Sequence, residues 1–153
     1  MTLIIGIGNP LRGDDAVGAE AIRALEARSL PPQVKTLHAQ QLSMDLAEAL
    51  GAASLAIFID ARLGDPPGEL RVQKLEPDSC LSAAGVSHFF DPATLLAAVQ
   101  ALYGQHPKAW LFSVNAQTFD FGAPLSPPVR DSLPLLLALV LDVIHPADSI
   151  TPG

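Results

Sequence analysis

The sequence predicts an α/β fold: a single-domain, three-layer αβα sandwich around a mostly parallel (mixed) twisted sheet. Three observations predict it. Short runs that are apolar on both faces, Leu3 to Ile7, Ser54 to Ala61 and Ala109 to Val114, read as central strands covered by helices. Segments of helical periodicity fall between them, the alternation that builds a parallel sheet. At 153 residues, 49% apolar and 16% charged, the chain is long enough for one core and too apolar for disorder. The domain is assigned to residues 1–145, and the polar, Pro- and Gly-containing stretch 146–153 to a frayed tail.

Leu3 to Ile7 runs into Gly8-Asn9-Pro10, which ends the strand in a turn because a residue before proline avoids the helical region. The acids Asp14 and Asp15 then open a helix, with Asp14 as its N-cap and Val17, Ala21, Ala24 and Leu25 on its buried face. Gly18 inside it costs up to ~1 kcal/mol against alanine, which close approach to the sheet would justify. Pro31-Pro32 stops the helix, Gln33 to Ala39 reads as a second strand, and Ser43 to Leu50 as a short helix capped by Ser43 and stopped by Gly51. The strand Ser54 to Ala61 closes on Asp60. Glu69 to Leu75 alternates as an exposed edge strand does, and an edge strand can run antiparallel. Glu76 to Ser87 reads as a loop that delivers His88 ahead of a helix capped by Asp91, with Pro92 at its first position and Leu95, Leu96, Val99 and Leu102 buried. A strand over Ala109 to Val114, a loop from Asn115 to Leu125 and a last helix capped by Ser126 and kinked at Pro134 complete the domain.

Composition narrows the function. The net charge of −7 without a basic cluster argues against a nucleic-acid backbone as partner. The single cysteine, Cys80, excludes an internal disulfide. No secretory leader and no apolar run near the ~20 residues of a membrane span are visible, so the chain reads as cytoplasmic. Gly6, Gly8 and Gly13 form GxGxxxxG, not a dinucleotide fingerprint, and two acids stand where a pyrophosphate would meet the helix. There is no GKS or GKT and no Gly-x-Ser-x-Gly elbow.

If the first and third strands are neighbours, as βαβ order suggests, Asp60 and the Asp14-Asp15 pair share the rim where open α/β sheets bind ligands. Asp15 is then either a solvated acid favoured by the helix dipole or a metal ligand or acid/base group. Asp60 is either a turn former or a member of the same site. With His88 they make a mixed nitrogen and oxygen set suited to zinc or nickel. His38 ends the second strand close to that rim. Cys80 precedes His88, but no orienting third residue completes a Cys/His pair. Phe89, Phe90, Phe119 and Phe121 either wall a cleft or pack onto the domain edge.

Gly6-Ile7-Gly8-Asn9-Pro10-Leu11-Arg12-Gly13-Asp14-Asp15-Ala16-Val17-Gly18, the aspartate of Ile59-Asp60-Ala61 and the histidine His88 ahead of a helix together resemble the hydrogenase maturation endopeptidases of the nickel-iron type, over residues 2 to 144. The resemblance implies the αβα sandwich. It also implies removal of a C-terminal peptide from the nickel-loaded precursor of a hydrogenase large subunit, by a monomer acting without nucleic acid or membrane. Asp15, Asp60 and His88 are implied as catalytic and metal-contacting residues, with nickel supplied by the substrate. Substrate binding is implied for Asn9, His38 and Gln41. Many relatives carry glutamate where Asp15 stands, one methylene longer. Peptidyl-tRNA hydrolase also opens on a strand running into GxGNP, but its arginine-histidine-asparagine run has no counterpart after Pro10. A non-catalytic, nickel-dependent binding or chaperone module on the same scaffold is the alternative from another class.

Overall fold

The computed structural model describes residues 1–78 and 90–145. Five strands form one sheet: β1 (Thr2–Ile7), β2 (Val34–Ala39), β3 (Leu55–Leu63), β4 (Leu70–Leu75) and β5 (Lys108–Ala116), in the order β2-β1-β3-β5-β4. All neighbours are parallel except β4, which runs antiparallel along β5 at the sheet edge. Among the described residues, four helices cover the sheet: α1 (Val17–Glu26), α2 (Ala47–Ala52), α3 (Pro92–Tyr103) and α4 (Pro127–Ile144).

The pleat of β1 divides the core. Leu3, Ile5 and Ile7 pack with Phe58 and with Leu50, Leu95, Leu96 and Val99 of α2 and α3. Ile4 packs on the other face with Ile57, Ile59 and Phe112 and with Val17, Leu25, Leu136 and Val140 of α1 and α4. Both sheet faces are therefore covered, which explains why the central strands are apolar on both sides.

At Gly18, α1 presses onto β1: an added Cβ would lie 2.5 Å from both the nitrogen and the oxygen of Ile7. The close approach inferred for this glycine is its role. Asp91 caps α3 by accepting from the Thr94 N–H at 2.7 Å, and Gly104 at φ +74° closes the helix.

Several expectations are corrected. Asp14 does not cap its own helix: a 3-10 turn, Gly13–Ala16, precedes α1, and neither element has a side-chain cap. The short second helix begins as a 3-10 turn, Met44–Leu46, Ser43 makes no capping bond, and Gly51 lies inside α2 rather than beyond it. Leu102 is exposed, turned off the buried face of α3. The Ser126 hydroxyl does not cap α4; it donates to Asp14. β3 does not close at Asp60 but runs on to Leu63, because its pairing with β5 continues from Asp60↔Ser113 to Leu63↔Ala116. His88, Cys80, Phe89 and the tail 146–153 lie outside the described residues.

Candidate functional site

In this strand order the chain leaves β1 toward β2 on one side and continues with β3 on the other. The gap between the carboxyl ends of β1 and β3 is therefore the switch point at which open α/β sheets bind ligands. β1 pairs with β3 only as far as Gly6↔Ile59, so Asp60 is the first β3 residue beyond that pairing. It stands where β3 has β5 on one side and the turn after β1 on the other.

That turn holds Asp15. Gly8, at φ +129°, reverses the chain, and an added Cβ there would collide with the Asp15 backbone oxygen. The Asn9 N–H donates to Asp15 Oδ2 at 2.8 Å, the Leu11 N–H to Asn9 Oδ1 at 2.9 Å, and the Asp15 N–H to the Arg12 carbonyl at 3.0 Å. From the far side, His38 Nε2 lies 2.7 Å from the Gly8 carbonyl, which can only accept, so that nitrogen carries the proton. The Gly8 N–H donates to Ala39 O at 3.0 Å, tying the turn to the end of β2.

The paired acids divide their work. Asp14 is fully buried and accepts from the N–H groups of Gln117 (2.7 Å), Thr118 (3.1 Å) and Ser126 (2.7 Å) and from the Ser126 hydroxyl (2.8 Å). It clamps the loop after β5 and the start of α4 beneath the turn. Asp15, half-buried, faces the rim. Adjacent side chains on a tight turn point in different directions, which lets one carboxylate serve the scaffold and the next the site.

Asp60 is half-buried and accepts from the Ala61 N–H at 2.8 Å through Oδ1. Burial, helped by the nearby charge of Asp15 and opposed by the Ala61 hydrogen bond, pushes its carboxyl up from 3.8 to about 7. The structure thus brings Asp15 and Asp60 within electrostatic reach of one another. Each spends one oxygen on a backbone N–H, and no described hydrogen bond falls on the other. Two crowded carboxylates with spare oxygens form a donor set that suits a divalent cation, whose charge would favour the ionised form of both. Among the described residues, no group of three His, Cys, Asp or Glu is placed to hold a metal.

Of the other inferred residues, Asn9 and His38 brace the turn that carries Asp15, and Gln41 lies two residues beyond β2, exposed. Sequence reasoning missed the clamp role of Asp14 and its partner Ser126. The signal was present in the doubled acid, but its partners lie 103 to 112 residues away. It also missed a second pairing: Arg12 forms an isolated antiparallel bridge with Phe121, and the Gly122 N–H donates to Leu11 O at 2.8 Å. Phe90 packs against the core, while Phe121 is exposed.

A five-stranded mixed α/β sandwich here carries a carboxylate pair at its switch point, where proteins of this architecture bind ligands. Comparison with known proteins makes this specific. The chain is 30% identical over 148 residues to the hydrogenase expression/formation protein HupD of Bradyrhizobium diazoefficiens, covering 93% of this chain and 77% of that one. It is 27% identical over 148 residues to the protein of the same name from Thiocapsa roseopersicina, covering 93% and 66%. The chain thus spans about two thirds to three quarters of the length of these curated relatives. Its structure is similar to that of the hydrogenase maturating endopeptidase HybD from E. coli, with a TM-score of 0.78, 26% identity and coverage of 95% and 93%. No protein-family model matches it. The chain belongs to the hydrogenase maturation endopeptidase family. Among the described residues, no helix is long and apolar enough to cross a membrane.

Proposed function

We propose that this chain is an endopeptidase that removes the C-terminal peptide from the nickel-loaded precursor of a nickel-iron hydrogenase large subunit, as a cytoplasmic monomer. Asp15, Asp60 and His88 read the substrate's nickel and carry the cleavage, while Asn9, His38 and Gln41 contribute to substrate binding. The observation that carries this reading is the Asp15 and Asp60 pair at the switch point, in a chain of this family.

The chemistry follows from the donor set. Nickel held by the precursor would polarise the scissile carbonyl and lower the pKa of an attacking water. Asp15, fixed by the Asn9 N–H, presents its second oxygen to that cation. Asp60, the other carboxylate of the pair, would accept a proton from water and return it to the leaving amine.

The test is the intact mass of the host's nickel-iron hydrogenase large subunit with this gene deleted and then restored. The subunit is expected to gain the mass of a C-terminal extension on deletion and to lose it on complementation. An unchanged mass overturns the proposal. Nickel-dependent capture of the precursor without cleavage would replace the endopeptidase with a binding module.

A further inference from the structure

Among the described residues, the three most exposed large apolar side chains are Leu63 (77%), Phe121 (72%) and Leu11 (64%). All three lie at the carboxyl rim that carries Asp15 and Asp60. Leu11 belongs to the turn after β1, four residues before Asp15. Leu63 ends β3, three residues beyond Asp60, and pairs with Ala116 at the end of β5. Phe121 stands in the loop that follows. Exposed apolar side chains scattered singly need no explanation, but Leu11 and Phe121 are held together by the Arg12 and Phe121 bridge beside the Asp15 turn, and such a pair marks a surface that another molecule covers.

This part of the rim is built, not loose. Arg12 and Phe121 form a backbone bridge, the Gly122 N–H holds Leu11 O, and the Arg12 Nε donates to Phe119 O at 3.4 Å. The Arg12 guanidinium lies 5.6 Å from the centre of the Phe121 ring. Beneath them, Asp14 ties both loops together. In a chain with 16 acids against 9 bases, Arg12 forms no ion pair among the described residues. Its charge is directed outward beside apolar groups, and it complements a carboxylate on whatever covers them.

We propose that Leu11, Arg12 and Phe121 form the docking ledge for the precursor: an extended segment of that polypeptide lays apolar side chains on Leu11 and Phe121 and a carboxylate against Arg12. This rests on the functional reading above. A peptide bond reaches the Asp15 and Asp60 carboxylates only from an unfolded stretch of chain, and such a stretch exposes apolar side chains for the ledge to cover. Binding strength then resides on the ledge and chemistry in the carboxylates.

The experiment is steady-state processing of the host's nickel-loaded large-subunit precursor by the full-length protein and its Phe121→Ser, Arg12→Gln and Leu102→Ser variants. Leu102 is equally exposed but lies on α3, near the amino ends of the strands, and serves as the control. Phe121→Ser is expected to raise KM about tenfold with kcat little changed, the loss typical of one anchoring aromatic. Arg12→Gln is expected to raise KM and to flatten its dependence on salt. Leu102→Ser should alter neither constant. Thermal melting verifies that each variant is folded. Unchanged KM in both rim variants, or an equal rise in Leu102→Ser, overturns the ledge while leaving the endopeptidase standing. A precursor that the unaltered protein fails to cleave overturns the functional reading itself.

Discussion

Asp14 and Asp15 are chemically identical neighbours, and their difference is set by what each oxygen meets. Asp14 receives three backbone N–H groups and a hydroxyl in a site closed to water. Asp14→Asn turns one acceptor into a donor that faces other donors, so urea unfolding should show a loss of about 2–4 kcal/mol. Asp60 makes the opposite prediction. Its folded pKa of about 7 lies above the ordinary 3.8, so the folded state binds its proton more tightly than the unfolded chain does. Stability from this group is fully present below about pH 4, declines as pH rises to about 7, and is gone above that. Asp60→Asn, which mimics the protonated form, should therefore leave stability near pH 4 unchanged and raise it at pH 8 by on the order of 2–4 kcal/mol. Parallel urea titrations at the two pH values check this. Sequence reasoning named Asp15 and Asp60 because strand ends and doubled acids are local signals. It read Asp14 as a helix cap because a cap is the nearest use for an acid, and the distant loop that claims it leaves no local trace.

Elements were legible where one period decides them. The helical face of α1 and the alternation of polar and apolar residues in β4 are written into neighbouring residues, and a helix with that buried face and an edge strand both form there. Ends decided by partners were not legible. β3 outruns its apolar stretch because β5 continues beside it to Ala116, and the turn at Gly13–Ala16 tightens because the loop after β5 holds it through the Asp14 N–H to Thr118 O bond of 2.9 Å. Gly18 shows an element-scale cost that propensity alone would predict with the wrong sign. In an isolated helix, glycine to alanine gains up to about 1 kcal/mol. Here the new Cβ would meet the Ile7 backbone at 2.5 Å, and backbone inside a sheet cannot yield. Gly18→Ala should instead destabilise by about 2–3 kcal/mol, the scale of overpacking a tight contact, with the loss visible in thermal melting.

The sheet as a whole divides the molecule into two ends, and only one of them gathers chemistry. The adjacency of β1 and β3, the neighbourhood that βαβ order suggests, is observed, with β2 on the other side of β1 although it comes between them in sequence. The insertion of β5 between β3 and β4 was not legible, since nothing in a strand's own residues states which neighbour it will choose. That insertion puts the loop after β5 next to the turn after β1, and so completes the rim. At the amino end, the His106 ring bonds the adjacent Pro107 carbonyl at 2.8 Å, just before β5 begins, far from the switch point. The topology therefore sets His106 apart from the rim carboxylates without reference to any motif. Asp15→Asn and Asp60→Asn should keep the fold, because their side chains accept only single bonds from Asn9 and Ala61. Both should stop precursor processing, as should His88→Ala, while His106→Ala leaves processing intact. Gel shift of the large subunit in cells carrying each variant reads the result. Full processing by Asp60→Asn would remove the carboxylate pair from the mechanism, because its amide can neither accept a proton from water nor carry the charge a cation needs.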